Sequence, residues 1–92
     1  MTTSRLSAVA ALLLLGRSYH ALGDYARAAQ VLQLFLNSNP DSAPGHFFAG
    51  RSHLALGLPE LAVRHLKRSV ELQPGFAPAL GLLAVAVLKS GR

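Results

Sequence analysis

The sequence contains no cysteine and is short of acidic residues. Without cysteine, the chain can form neither disulfide bonds nor thiolate metal sites. Four Asp and Glu residues stand against nine Lys and Arg, which gives a formal net charge of +5. The cations are dispersed except for Arg64, Lys67 and Arg68, so most of the excess serves solubility. That basic group is the one place where nucleic acid or an anionic surface is a candidate ligand, although no nucleic-acid motif accompanies it.

The residue groupings that catalysis requires are also missing. None of the four histidines has a Cys, Asp or Glu at metal-ligand spacing, and no nucleophile has an evident base. We therefore predict that the protein is not an enzyme and uses no metal or cofactor. Apolar residues are abundant instead, at 51% with a mean hydropathy of +0.35. In so short a chain, this abundance indicates apolar surface that a partner covers.

What the sequence does contain is a pattern that recurs after 34 residues. Small, apolar or turn-forming residues occupy both copies, and the pairs are Gly16 and Gly50, Gly23 and Gly57, Ala28 and Ala62, Leu32 and Leu66, and Pro40 and Pro74. A third copy begins in the same register with Ala84 and Gly91 and stops half finished. A period of this length predicts a repeat architecture.

The segments between these positions predict five helices. Each helix start has a capping residue or a break in the pattern, namely Thr3 or Ser4, Asp24, Asp41 or Ser42, Pro59, and Phe76. The first helix runs to about Leu22 and the third stops at Gly57, because glycine favours the left-handed conformation that follows a helix. The fifth helix runs to Ser90.

Helical spacing predicts which side of each of the first two helices is buried. For the first helix these residues are Val9, Leu12, Leu15, Tyr19 and Leu22, and for the second they are Tyr25, Ala28, Leu32, Phe35 and Leu36. Gly16 and Gly50 are small where two helices approach closely, with Ala28 and Ala62 expected opposite. On the fourth helix, Glu60 with Arg64 and Lys67 with Glu71 are spaced for solvent-exposed ion pairs.

These residues resemble the tetratricopeptide repeat, a 34-residue pair of antiparallel helices. The first helix of that repeat carries a bulky residue, Leu-Gly and an aromatic, which correspond here to Leu12, Leu15, Gly16 and Tyr19. Its second helix matches with Ala28, Leu32, Phe35 and Pro40, and the second repeat matches with Ala62, Leu66, Ser69 and Pro74. The second repeat departs from the pattern at His46, Ala49 and His53, and Phe35 is larger than the pattern expects.

The resemblance implies an all-α, right-handed α-solenoid of two repeats plus a closing helix. One domain would fill residues 1–92, with repeat 1 at about 9–42, repeat 2 at about 43–76 and the closing helix at about 77–90. Such repeats bind a peptide or helix of another protein in a concave groove lined by their first helices. The groove positions implied here are Leu13, Arg17, His20, Phe47, Phe48, Arg51, Leu54, Gly81, Leu82, Val85 and Leu88.

That groove is apolar and carries two arginines, so we expect a segment with an acidic residue as ligand. The acidic C-terminal tails of heat-shock chaperones are not expected to bind, because most of the positions that would clamp them are apolar here. Small bacterial proteins of similar design act as secretion chaperones or assembly scaffolds, which would place this one in the bacterial cytoplasm.

Two features of the ends allow more than one interpretation. Met1–Arg5 and the run Leu6–Leu15 are similar to a secretory signal of about 20 residues, but the repeat register favours a structural helix. The run is too short to span a membrane, which takes about 20 apolar residues. The closing helix is apolar nearly all round, so we expect a cover over it: a second copy in a homodimer, a helix of another protein, or further repeats.

Overall fold

The computed structural model describes the backbone of residues 2–91 and the side chains of residues 7–91. This part of the chain forms five helices and no strand. They are α1 (Thr2–Ala21), α2 (Tyr25–Ser38), α3 (Ala43–Ala55), α4 (Pro59–Leu72) and α5 (Ala77–Lys89). The predicted all-α solenoid of two helix pairs and a closing helix is confirmed.

Glycine closes both hairpins, as the sequence predicts. Gly23 and Gly57 have φ angles of 81° and 77°, in the left-handed region that other residues rarely adopt. Each backbone N–H bonds back into the preceding helix, to the carbonyl oxygens of His20 and Leu54 at 3.0 Å. The chain therefore reverses within three residues, and α2 and α4 pack directly on α1 and α3.

The predicted caps are correct at two of the helix starts. Asp24 accepts a hydrogen bond from the backbone N–H of Arg27 at 3.2 Å, and Ser42 accepts one from Gly45 at 3.1 Å. Thr3 and Ser4 lie inside α1 and do not precede it, because the helix begins by Thr2. Their side chains lie outside the described residues.

Two clusters of buried residues hold the helices together. The first cluster is Leu32, Phe35, Leu36 and Ala49, against which Val9, Leu12, Leu13 and Phe48 pack. The second cluster is Ala62, Leu66 and Ala86, packed by Phe47, Leu54, Val63, Leu82 and Leu83. Each cluster draws on three successive helices and α3 contributes to both, so α3 joins the first repeat to the second and the second to the closing helix.

The predicted buried side of α1 is partly wrong. Leu15 and Leu22 are 41% and 80% exposed, whereas Leu13 and Gly16 face the core. The position of Leu15 is occupied one repeat later by Ala49, which is only 1% exposed. Ala49 belongs to the first cluster together with three residues of the preceding helix α2, whereas the described chain has no helix before α1. Burial at this position therefore depends on a preceding helix.

Close approach at two glycines fixes how each helix pair packs. A Cβ added to Gly16 would lie 2.6 Å from Cγ of Leu32, and one added to Gly50 would lie 2.7 Å from Cγ of Leu66. The atoms nearest to these added positions belong to Leu32 and Leu66, and the carbonyl oxygen of the expected Ala62 lies 3.3 Å from the Cβ added to Gly50. Leu32 and Leu66 are completely buried, so neither can move aside at low cost.

We therefore expect Gly50→Ala to destabilise the protein by about 1–3 kcal/mol through overpacking against Leu66. Urea unfolding followed by circular dichroism measures this change. Gly81→Ala is the matched control, since an added Cβ there meets nothing within 4 Å. That variant should have a free energy of unfolding about 0.5–1 kcal/mol higher than the native chain, because alanine is more stable than glycine in an exposed helix interior. Equal effects of the two substitutions would refute the steric account.

Candidate partner-binding groove

Two arginines from successive repeats lie against the same aromatic ring. The guanidinium carbon of Arg17, on α1, is 4.9 Å from the ring centroid of Phe48, and that of Arg51 is 5.0 Å away. Arg51 also lies 5.9 Å from the ring of Phe47. Cation–π contacts of this kind hold the two planar cations in fixed positions.

Aromatic rings continue this surface from α3 to the start of α5. Phe47 contacts Phe48 edge-on and contacts Phe76 edge-on, with both centroid distances at 5.2 Å. Phe76 is absent from the groove positions that the resemblance implies, because those positions come only from helices. Its place directly before the Ala-Pro start of α5 is the signal that could have identified it.

The two arginines have no acidic partner within the described part of the chain. The ion pairs there join Arg27 to Asp24 and join Arg68 to Asp41 and Glu71. Nε of Arg51 is buried and has no hydrogen-bond partner among the described residues. Burial, together with the charge of Arg17, lowers the pKa of Arg51 below its ordinary value. The site therefore combines concentrated positive charge with an unsatisfied donor.

His20 links the first repeat to the second. Its Nδ1 lies 3.3 Å from the hydroxyl oxygen of Ser52, and its ring centroid is 4.9 Å from that of Tyr25. Burial, followed by the charge of Arg51, lowers the pKa of His20 below the ordinary value of 6.5. The uncharged form is thus favoured near neutral pH, and the side chain serves packing between α1, α2 and α3.

The remaining predicted groove positions divide between core and surface. Leu13 packs on the first cluster, and Leu54 and Leu82 pack on the second. Val85 is 40% exposed and Leu88 is 80% exposed. The structure therefore brings Arg17, Phe48 and Arg51 together. The apolar positions are divided, because Leu13, Leu54 and Leu82 pack in the core whereas Val85 and Leu88 are exposed.

Three histidines that are separated in sequence meet between α3 and α4. Nδ1 of His46 lies 3.1 Å from Nδ1 of His65, and the ring of His53 stacks on that of His65 with a centroid distance of 5.2 Å and an interplanar angle of 9°. His46 donates from Nε2 to the carbonyl oxygen of Pro40 at 2.7 Å. In the uncharged pair His46 Nδ1 is therefore the acceptor, and the hydrogen between the rings belongs to His65.

This histidine cluster was not foreseen from the sequence, because it depends on the register between two helices. Burial is the main cause that lowers the pKa of His65 to about 4, with further contributions from His53, His46 and Arg64. Among the described residues, no group of three or more His, Cys, Asp or Glu side chains could hold a metal ion. The cluster thus consists of packed, hydrogen-bonded imidazoles.

The basic group on α4 is smaller than the sequence suggests. Arg68 is bound to Asp41 at 2.9 Å and to Glu71 at 3.7 Å, which leaves Arg64 and Lys67 as its remaining cations. The predicted ion pairs of Glu60 with Arg64 and of Lys67 with Glu71 are wrong for the described chain. Glu71 pairs with Arg68, which also reaches Asp41 in the loop before α3. Arg64 and Lys67 line a shallow depression of about 300 Å³ beside Ser90.

No helix in the described chain is both long and apolar enough to cross a membrane. Comparison with protein families finds two matches, both to the tetratricopeptide repeat, over residues 10–42 and 49–92. Together these matches cover most of the chain, and the first of them includes the Gly16 and Leu32 contact. A search of curated proteins finds no match.

We expect the stability of the protein to fall as the pH is lowered from about 6.5 toward 4. His65 has a folded pKa of about 4, below its ordinary value of 6.5, so the unfolded chain takes up the proton first. Its contribution is fully present above about pH 6.5 and is lost as the pH falls through this window. Urea midpoints measured at about pH 7.5 and about pH 4.5 test this dependence.

His65→Phe is the informative variant, because it keeps an aromatic ring and removes the titrating group. We expect its urea midpoint to change less between the two pH values than that of the native chain. Some dependence remains because the pKa of His20 is also lowered. If the native chain and His65→Phe lose the same stability between the two pH values, protonation of His65 is not the source of the pH dependence.

Proposed function

Because this chain belongs to the tetratricopeptide repeat family, we propose that it binds a segment of another protein along the first helices of its repeats. Repeats of this family generally mediate protein–protein interaction and generally have no enzymatic activity. The observation that carries the proposal is the Arg17, Phe48 and Arg51 arrangement, in which a buried donor of Arg51 has no partner among the described residues.

The chemistry of the arrangement defines the ligand. A carboxylate placed beside Arg17 and Arg51 would accept charge-assisted hydrogen bonds from their terminal guanidinium N–H groups. Phe47, Phe76 and Val85 offer apolar contact along the same surface, so the ligand is an extended or helical segment with apolar residues beside its acid. Since the two cations are held on Phe48 in the free protein, little side-chain entropy is lost on binding.

The biological role that fits this ligand is that of a chaperone or scaffold for an apolar bacterial protein, held before export or during assembly. Support for the role comes from the apolar content of the chain and from exposed apolar residues near the groove, such as Val85 and Leu88. An apolar subunit with an acidic residue in its binding segment is the cargo that these features favour, and the bacterial cytoplasm is the corresponding location.

Binding through the basic group of α4 has less support. Arg68 is neutralised by two carboxylates, and Glu60 lies beside Arg64 and Lys67. Nucleic acid binding requires several free cations along one surface, with affinity that falls steeply as salt is added. The protein-binding proposal therefore takes precedence.

The experiment is a selection of peptides from a random display library on the purified chain. We expect the selected sequences to share one Asp or Glu flanked by apolar residues. Binding of the strongest peptide, measured by fluorescence anisotropy, should weaken by about tenfold or more in Arg51→Glu, because a charged hydrogen bond of about 1.5–3 kcal/mol is lost. Circular dichroism should show unchanged helicity.

Arg27→Glu is the matched control, since Arg27 is an exposed cation on α2 away from the groove. It should leave the affinity unchanged. Replacing the acid of the peptide by lysine should abolish binding to the native chain and restore part of it to Arg51→Glu. Peptides without any acid, or equal affinity of the two arginine variants, would contradict the proposal.

A further inference from the structure

The groove holds positive charge that the acidic residues of the described chain do not balance. Three of the four acids form ion pairs elsewhere, namely Asp24 with Arg27, and Asp41 and Glu71 with Arg68. The fourth, Glu60, lies on α4 beside Arg64 and Lys67. Within the described part of the chain, no carboxylate therefore forms an ion pair with Arg17 or Arg51.

The two groove charges are close enough to oppose each other. Their guanidinium carbons lie 4.9 Å and 5.0 Å from the centroid of one ring, that of Phe48. Burial, followed by the charge of Arg17, lowers the pKa of Arg51. His20 adds no third charge, because burial and the charge of Arg51 lower its pKa and favour its uncharged form. The groove thus presents two positive charges, and a ligand balances them with two negative charges.

A carboxylate and a phosphate differ in how well they meet this requirement. A carboxylate carries one negative charge, and both of its oxygens are used when one guanidinium binds it as a bidentate pair. A phosphorylated serine or threonine carries about −1.5 to −2 charges at neutral pH and three acceptor oxygens. Its third oxygen is available to a second guanidinium, and the planar fork of arginine matches phosphate geometry.

We propose that the groove recognises a phosphorylated serine or threonine in the protein segment that it binds, with the phosphate shared by Arg17 and Arg51. This inference rests on the proposed function, because it concerns the acidic position of the same ligand. Segments with Asp or Glu at that position bind more weakly. Phosphorylation of the partner protein therefore strengthens its complex with this chain.

The surroundings of the two arginines favour a phosphorylated protein segment over other sources of phosphate. Phe47 contacts both Phe48 and Phe76, so apolar rings continue from the cations toward α5. These rings offer contact to apolar side chains, which free phosphate does not have. Nucleic acid binding draws on several cations along one surface, whereas the groove provides two.

The experiment uses synthetic peptides with phosphoserine at a fixed central position and random flanking residues. The strongest binder is made again with serine, with glutamate, or with two adjacent glutamates in place of phosphoserine. Fluorescence anisotropy measures the affinity of all four peptides. We expect the phosphoserine peptide to bind about tenfold or more tightly than the glutamate peptide, and the serine peptide to bind most weakly.

Arg17→Gln is the informative variant, because it leaves one groove cation and should reduce the preference for phosphoserine over glutamate to about threefold or less. Arg17 is exposed, so circular dichroism should show unchanged helicity. Arg17→Lys keeps the charge without the planar fork and should retain an intermediate preference. Arg64→Gln is the matched control on the basic group of α4, and it should leave both affinities unchanged.

Equal binding of the phosphoserine and glutamate peptides overturns this inference and leaves the proposed function standing. A double-glutamate peptide that binds as tightly as the phosphoserine peptide also overturns it, because the groove then responds to charge alone. The same holds if Arg64→Gln, and not Arg17→Gln, weakens the phosphoserine peptide, or if inorganic phosphate displaces that peptide at equal concentration. If no peptide with either acidic group binds, the inference and the proposed function both fail.

Discussion

The close crossing of each helix pair at a glycine is the constraint on which the other features depend. Gly16 and Gly50 allow Leu32 and Leu66 to reach the backbone of the partner helix, and no other residue type fits without displacement. Once that crossing is set, the two sides of α3 are assigned. One side presents Phe48 and Arg51 toward Arg17 of α1, and the side that carries Gly50 packs on Leu66 of α4. The groove is thus a consequence of the same contact that gives the repeat its core.

The parts of this fold that could be predicted from sequence are those with a local physical cause. A left-handed turn needs glycine, a helix start favours Asp24 or Ser42, and helix boundaries follow within one or two residues. The residues of the candidate site were also predictable in part, because the period places Arg17 and Arg51 one repeat apart. Phe48 is also among the implied groove positions, but its contact with both arginines was not predictable, because helical spacing does not show which ring a guanidinium contacts.

Features that depend on a neighbouring helix could not be read from the sequence. Leu15 has the spacing of a core residue, yet its burial requires a helix before α1. Arg68 crosses from α4 to Asp41 in a loop 27 residues away, which no helical spacing reveals. The histidines on α3 and α4 likewise meet only because the crossing at Gly50 sets the register of the two helices. In each case the burial or contact depends on how the helices pack, which the sequence pattern does not show.

The contact between His46 and His65 also gives the link between α3 and α4 a direction. His46 donates from Nε2 to the carbonyl oxygen of Pro40 at 2.7 Å, so in the uncharged pair its Nδ1 accepts the hydrogen of His65 across 3.1 Å. Two hydrogen bonds therefore run in sequence from α4 through α3 to the loop before α3. A side chain at position 46 that could only donate or only accept would keep one of these bonds and lose the other. The connection thus requires a residue that does both, which imidazole provides with its two ring nitrogens.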